Sequence, residues 1–216
     1  MSTLPVFVVG QSPRPDVEAE IRAAAPGIEV SLRGALDGLS RAEIARLAPR
    51  DAADTLFTIL PGGESVRLSK AAVTRHLAPK LPDGAALLAC TGAFKGLDSG
   101  RLIQPSPVLN ALVAAVLPQG RLGLFVPLPE QAATLRKLRA RPGLAVQAVA
   151  LRPGSDDAAR DAAAAAMADL APDLAVLDCI SYTRTDKARI AQRLACPILL
   201  SIAVAARVAA SLLPDG

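Results

Sequence analysis

The feature that most limits what this chain can fold into is its rhythm. Short apolar runs closed by glycine, cysteine or proline alternate with segments of helical character along most of its length. Pro5-Val6-Phe7-Val8-Val9-Gly10 reads as a buried strand. Pro13 and Pro15 mark the turn that follows, and Asp16 opens a helix stopped by Pro26-Gly27. Ile28 to Leu32 alternates like a strand, and Ser40-Arg41-Ala42-Glu43 has the form of a capping box for a helix to Leu47. Residues 55–60 and 64–69 alternate on either side of Pro61-Gly62-Gly63, which is a β-hairpin signal. A helix over 70–81 and a buried strand over 85–90 complete this half. The second half predicts strands over 122–126, 144–150, 174–179 and 197–200, with helices following each of them. Strands alternating with helices require a mainly parallel sheet covered by helices, with the hairpin as an antiparallel excursion.

Composition removes several classes of function. With 216 residues, 51% hydrophobic and 20% charged, the chain can bury a core and is not disordered. Aromatic residues are only 2%, with no Trp and one Tyr, so no base-stacking platform is available. The net charge of +4 comes from scattered Lys and Arg rather than a basic cluster, which argues against nucleic acid as a partner. A single histidine, His76, rules out a zinc site built on several histidines. Cys90, Cys179 and Cys196 form no CxxC and no disulfide framework. The uncharged stretch from Leu102 to Gly120 is interrupted by Pro105, Pro107 and Pro118 and is unsuited to crossing a membrane. These features predict a soluble, cytoplasmic protein with no metal site.

In a parallel sheet, ligands bind beyond the carboxyl ends of the strands. Four strand ends carry reactive or polar residues: Gly10 to Asp16, Cys90-Thr91-Gly92, Pro127 to Gln131, and Cys179-Ile180-Ser181-Tyr182-Thr183. Cys90 and Cys179 hold matching places in the two halves. Two thiols facing each other across a cleft suit two-base proton transfer: a thiolate removes a proton from a carbon beside a carboxylate, and a thiol protonates the opposite face. Backbone N–H groups of Thr91, Gly92, Ile180 and Ser181 are placed to stabilise the enolate. A thiol at the start of a helix has its pKa lowered, so one of the pair is expected to titrate below about 8.5. The competing reading of each cysteine is a small buried hydrophobe. Arg14 and Arg184 are candidates for binding a substrate carboxylate, with Gln11 and Arg14 at the edge of the cleft and Ser181, Tyr182 and Thr183 around it. Asp178 points away from the neighbouring thiol and reads as structural. Cys196 and His76 read as packing or surface residues.

Gly10-Gln11-Ser12-Pro13-Arg14-Pro15-Asp16 resembles the GQTPRPD opening of the AroM family. Gly34 to Ser40 is similar to that family's GALDGLS segment, and Cys90-Thr91-Gly92-Ala93-Phe94 to its CTGEF stretch, with Ala93 in place of an acidic residue. Residues 177–183 resemble LDCIGYT with Ser181 for Gly, and Leu199-Leu200-Ser201 resembles its PVLLS strand. The resemblance implies a branch of the aspartate/glutamate (hydantoin) racemase-like superfamily, with two pseudosymmetric α/β lobes and one cysteine from each. Residues 1–103 are expected to form the first lobe and 104–202 the second, with 203–216 returning to the first because the second lobe's strands are by then complete. The resemblance further implies a cofactor-independent racemase or isomerase acting on a small carboxylate through Cys90 and Cys179. The alternatives are a one-cysteine decarboxylase or cis-trans isomerase, or a non-catalytic small-molecule binder linked to aromatic metabolism. The hairpin from Thr55 to Ser69 is expected to protrude from the first lobe, and its apolar face needs a cover, either a second subunit in a homo-oligomer or the cleft of its own lobe.

Overall fold

The computed structural model describes residues 2–97 and 101–214. The first half contains β1 (Thr3–Val8), α1 (Pro15–Ala24), β2 (Glu29–Gly34), α2 (Arg41–Ala45), β3 (Thr55–Ile59), β4 (Ser65–Ser69), α3 (Lys70–Leu77), β5 (Ala85–Ala89) and β6 (Arg101–Ile103). The second contains α4 (Pro105–Val116), β7 (Gly120–Val126), α5 (Ala132–Arg139), β8 (Leu144–Ala150), α6 (Asp157–Asp169), β9 (Leu174–Leu177), α7 (Arg184–Ala191), β10 (Ile198–Leu200) and α8 (Ser201–Ala210).

Two separate parallel sheets form, ordered β2-β1-β5-β6 and β8-β7-β9-β10. Numbered in chain order within its own sheet, each has its second strand at one edge, then its first, third and fourth. The same winding occurs twice, which gives two pseudosymmetric lobes. The strands at the centre of each sheet, β1, β5, β7 and β9, are the continuous apolar runs of the sequence, because helices cover both of their faces. One buried cluster joins the lobes, with Val6 and Leu87 from the first sheet, Phe125 and Leu177 from the second, and Ala205, Ala206 and Ala209 from α8. α8 follows the last strand of the second sheet and packs against α1, α4 and β5. Small alanine side chains allow that close approach. Among the described residues, no helix is long and apolar enough to cross a membrane.

Two elements were not legible beforehand. β6 has only three residues, too few for any period. α4 begins Pro105-Ser106-Pro107, and its prolines look like breakers in the sequence. They occupy the first turn, where backbone N–H groups have no partner within the helix in any case.

The hairpin of β3 and β4 does not project from the first lobe. Leu56, Leu60 and Leu68 are buried with Phe7, Val9 and Leu88. Its outer side reaches the second lobe. Gln131 Nε2 donates to the Thr55 carbonyl at 3.1 Å, Arg67 Nε donates to Glu130 Oε1 at 2.8 Å, and Arg152 bonds Ser65. The hairpin therefore covers the junction within its own chain.

Candidate active site

In sheets wound this way, the chain leaves the first and third strands toward opposite edges, so a crevice opens beyond their carboxyl ends. Both crevices face one cavity of about 220 Å³. Val8, Ala89, Cys90, Pro127, Asp178 and Cys179 line it, so all four central strand ends meet there, and Leu56 and Phe57 of the hairpin close one side. This volume lies below the usual range for drug-sized ligands and suits a small molecule.

Cys90 follows β5 and Cys179 follows β9, the corresponding strands of the two sheets. Both are deeply buried, at 8% and 7% exposure. Gly92 N–H faces Cys90 Sγ at 3.4 Å. Gly92 sits tightly here: a Cβ would come within 3.1 Å of Leu56 and 3.5 Å of the thiol. The backbone N–H and the hydroxyl of Ser181 both face Cys179.

The expectation of a lowered thiol pKa is corrected. Burial pushes Cys90 up to about 12, with Gly92 N–H and the Lys70 charge opposing weakly. Burial pushes Cys179 up to about 11, against the two Ser181 donors and the Arg14 charge. The cause is that neither thiol stands at a helix N-terminus. The described residues after Cys90, 91–97, are not helical, and four residues separate Cys179 from α7. A few donors do not offset removal from water.

Behind the thiols, the lobes are tied by a buried polar ring. Thr91 Oγ1 donates to the Asp178 carbonyl at 3.0 Å, and the Ser106 hydroxyl donates to the Thr91 carbonyl. The Asp178 carboxylate accepts Arg139 Nε at 2.9 Å and Nη2 at 2.8 Å. Arg139 Nη1 also donates to the Ser106 carbonyl at 3.1 Å and to Asn110 Oδ1 at 3.0 Å. The ring holds the Thr91-Gly92 turn against the Asp178-Cys179 turn, which fixes each thiol relative to the other.

Of the residues expected at the site, Cys90, Thr91, Gly92, Cys179, Ser181 and Arg14 line the cavity. Arg14 is only 3% exposed, and its guanidinium is occupied. Nε and Nη2 donate to Asp16 at 2.8 and 2.6 Å, Nη1 to the Ile59 carbonyl at 3.2 Å, and Nη2 to Ser181 Oγ at 3.2 Å.

Gln11, Tyr182 and Thr183 are outside the cavity lining. Gln11 Nε2 holds the Leu36 and Leu39 carbonyls at 3.2 and 2.8 Å. The Tyr182 hydroxyl turns into the core and donates to the Leu151 carbonyl. Thr183 caps α7, where its side chain and that of Asp186 bond reciprocally across the first turn. Arg184 is exposed and pairs with Glu20 at 3.2 Å, away from the cavity.

Sequence reasoning missed Lys70, which lines the cavity from the first turn of α3, and the partnership of Arg139 with Asp178. A buried aspartate requires a cation, so Asp178 at the end of an apolar strand was the available signal for the second. Gln131 also lines the cavity, and its Oε1 is a buried acceptor without a hydrogen-bond partner among the described residues. Among those residues, no three His, Cys, Asp or Glu side chains are grouped to hold a metal.

Two like-wound parallel lobes, each directing a cysteine-bearing turn into a shared crevice, define a two-lobe α/β fold. Solved structures share this fold. Allantoin racemase from Pseudomonas fluorescens aligns with a TM-score of 0.59 at 15% identity, covering 97% of this chain and 90% of that one. Unliganded arylmalonate decarboxylase aligns at 0.60 and 15% identity, covering 100% and 94%. Glutamate racemase from Francisella tularensis subsp. tularensis SCHU S4, in complex with D-glutamate, aligns at 0.59 and 14% identity, covering 98% and 80%. No curated protein matches the chain at the level of sequence. The chain itself belongs to the AroM family, whose model, described as AroM protein, matches residues 4–213.

Proposed function

We propose that this protein is a cofactor-independent isomerase of the racemase type, moving a proton on a small carboxylate between Cys90 and Cys179. The observation that carries the reading is the equivalent placement of the two cysteines: each leaves the third strand of a like-wound sheet, and both line one small cavity. Inversion at carbon needs a base on one face and an acid on the other, and two lobes related by pseudosymmetry supply opposed faces.

The surroundings favour different roles for the two thiols. Cys179 has two donors from Ser181 and the Arg14 charge beside it, so its thiolate is the better supported base. Cys90, with one N–H at 3.4 Å and the higher pKa, holds its proton and acts as the acid. The Cys179 thiolate removes the proton from the carbon next to the carboxylate, and the electron pair moves into an enolate. The Cys90 thiol then gives its proton to the opposite face, leaving a thiol at Cys179 and a thiolate at Cys90. The Gly92 and Ser181 N–H groups face the thiols, so the backbone N–H groups of Thr91 and Ile180 are the enolate donors in this reading.

The test is exchange of the α-proton in D₂O followed by NMR, across amino acids, hydantoins, malonates and other small carboxylic acids. Wild-type protein should exchange at least one of them. Cys90→Ser and Cys179→Ser should each abolish inversion, while exchange at the face served by the remaining thiol should persist. Inversion surviving either single substitution overturns the two-thiol reading.

A further inference from the structure

We propose that Lys70 binds the substrate carboxylate, and that the substrate is therefore a monocarboxylate whose remaining bulk is apolar. This rests on the reading of the cavity as a site for a small carboxylate and names the residue and substrate class it selects.

The argument is one of charge. Three ionised side chains line the cavity: Arg14, Lys70 and Asp178. Arg14 is neutralised by the bidentate Asp16 carboxylate. Asp178 is neutralised by Arg139 in the same manner. Lys70 has no carboxylate within ion-pair distance among the described residues. Its Nζ donates to the Ala53 carbonyl at 2.9 Å, which leaves further N–H donors on the ammonium. The carboxylate next to it in the fold, Asp54, is occupied by the Ala71 and Arg50 N–H groups at 3.0 and 3.3 Å. The cavity thus carries one uncompensated positive charge, which one carboxylate would neutralise.

Position and surroundings agree with this role. Lys70 is half-buried at the start of α3, and its charge reaches Cys90, where it favours the thiolate. A carboxylate held by Lys70 would lie beside the thiol that protonates the neighbouring carbon. The rest of the lining combines apolar Leu56, Phe57, Leu135 and Leu138 with uncharged Thr58, Thr134 and Gln131, none of which carries a charge to pair with a second carboxylate. An unpaired carboxylate moved there from water would cost several kcal/mol. The cavity therefore discriminates against dianions.

Three probes of one shape test this by calorimetric titration: cyclohexanecarboxylate, cyclohexane-1,1-dicarboxylate and neutral cyclohexanecarboxamide. Wild-type protein should bind the monocarboxylate and bind the dicarboxylate at least about tenfold more weakly. Lys70→Met should raise the Kd for the monocarboxylate by about tenfold to a hundredfold, the usual value of a hydrogen bond to a charged group. Lys70→Arg should remain within a few-fold of wild type. Binding of the amide should be the same in wild type and Lys70→Met, which separates loss of charge from distortion of the cavity. No saturable binding of the monocarboxylate, an unchanged Kd in Lys70→Met, or equal affinity for the dicarboxylate overturns the proposal. Lysine-dependent binding without α-proton exchange on any substrate defeats the isomerase reading and leaves this one standing.

Discussion

Replacing Arg139 with methionine strands the Asp178 carboxylate in the interior. Both side chains are essentially inaccessible, at 1% and 0% exposure, and are joined by two bonds of 2.9 and 2.8 Å. Removing one member of such a pair costs about 3–5 kcal/mol, because the survivor stays buried without its counter-charge. Arg139 also holds the Ser106 carbonyl and Asn110, so the upper half of that range is expected. With an unfolding entropy of about 2.1 cal/mol/K per residue over 216 residues, a loss of about 4–5 kcal/mol lowers Tm by about 9–11 °C. Asp178→Asn should cost a comparable amount, since it leaves a buried guanidinium half-satisfied. The double variant Arg139→Met with Asp178→Leu removes both charges and should recover at least half of the loss. Thermal and urea unfolding followed by circular dichroism read these values. The effect should persist as salt is raised, because ions do not screen a buried pair. Single-variant losses below about 1 kcal/mol, the value of an exposed ion pair, would refute the reasoning. So would a double variant that loses the full sum of the single effects.

The thiols make folding sensitive to alkali. The unfolded chain ionises Cys90 and Cys179 near the ordinary value of 9.0, whereas the folded chain holds their protons until about 12 and 11. Stability from this source is complete below about pH 9 and declines as pH rises through the folded values, by up to about 1.4 kcal/mol per pH unit per thiol. Urea midpoints at pH 8 and 10.5 should therefore differ more for wild type than for the Cys90→Ala, Cys179→Ala double variant; equal pH dependence would count against buried protonated thiols. Gly34→Ala should destabilise by about 1–3 kcal/mol, since its Cβ would come 2.6 Å from the Gln11 Cα and Gly10 carbonyl, backbone atoms with little room to move. Gly84→Ala has open space within 4 Å and should leave Tm unchanged, and matching Tm values for these two variants would contradict the packing account. Arg67→Ala breaks an exposed pair with Glu130 and should cost no more than about 1 kcal/mol in urea unfolding, with a larger loss indicating that the hairpin clasp carries more than surface charge.

The order of strands and helices was legible in the sequence because it is a local property. A central parallel strand must be apolar on both faces, so β1, β5, β7 and β9 stand out as runs regardless of what surrounds them. Caps and turns are equally local, and the Ser40-Glu43 box forms where the residues predict it. The place of Cys90 and Cys179 at corresponding strand ends followed from the same rhythm. What only the tertiary structure decided depends on residues distant in the chain. The prolines of α4 read as breakers because their tolerance depends on which turn they occupy. The hairpin was expected to project because its cover, Gln131 and Glu130, lies in the other half of the chain. The thiol pKa values rose because desolvation is set by everything packed around a group, while the sequence shows only its neighbours along the chain. Tyr182 and Thr183 follow Cys179 directly, yet they turn into the core and onto a helix cap, because a tight turn sends successive side chains in different directions. Lys70 became a candidate for the site only when folding neutralised Arg14 and Asp178 with partners of their own. Charge balance in a cavity is a sum over neighbours in space, and sequence order does not contain it.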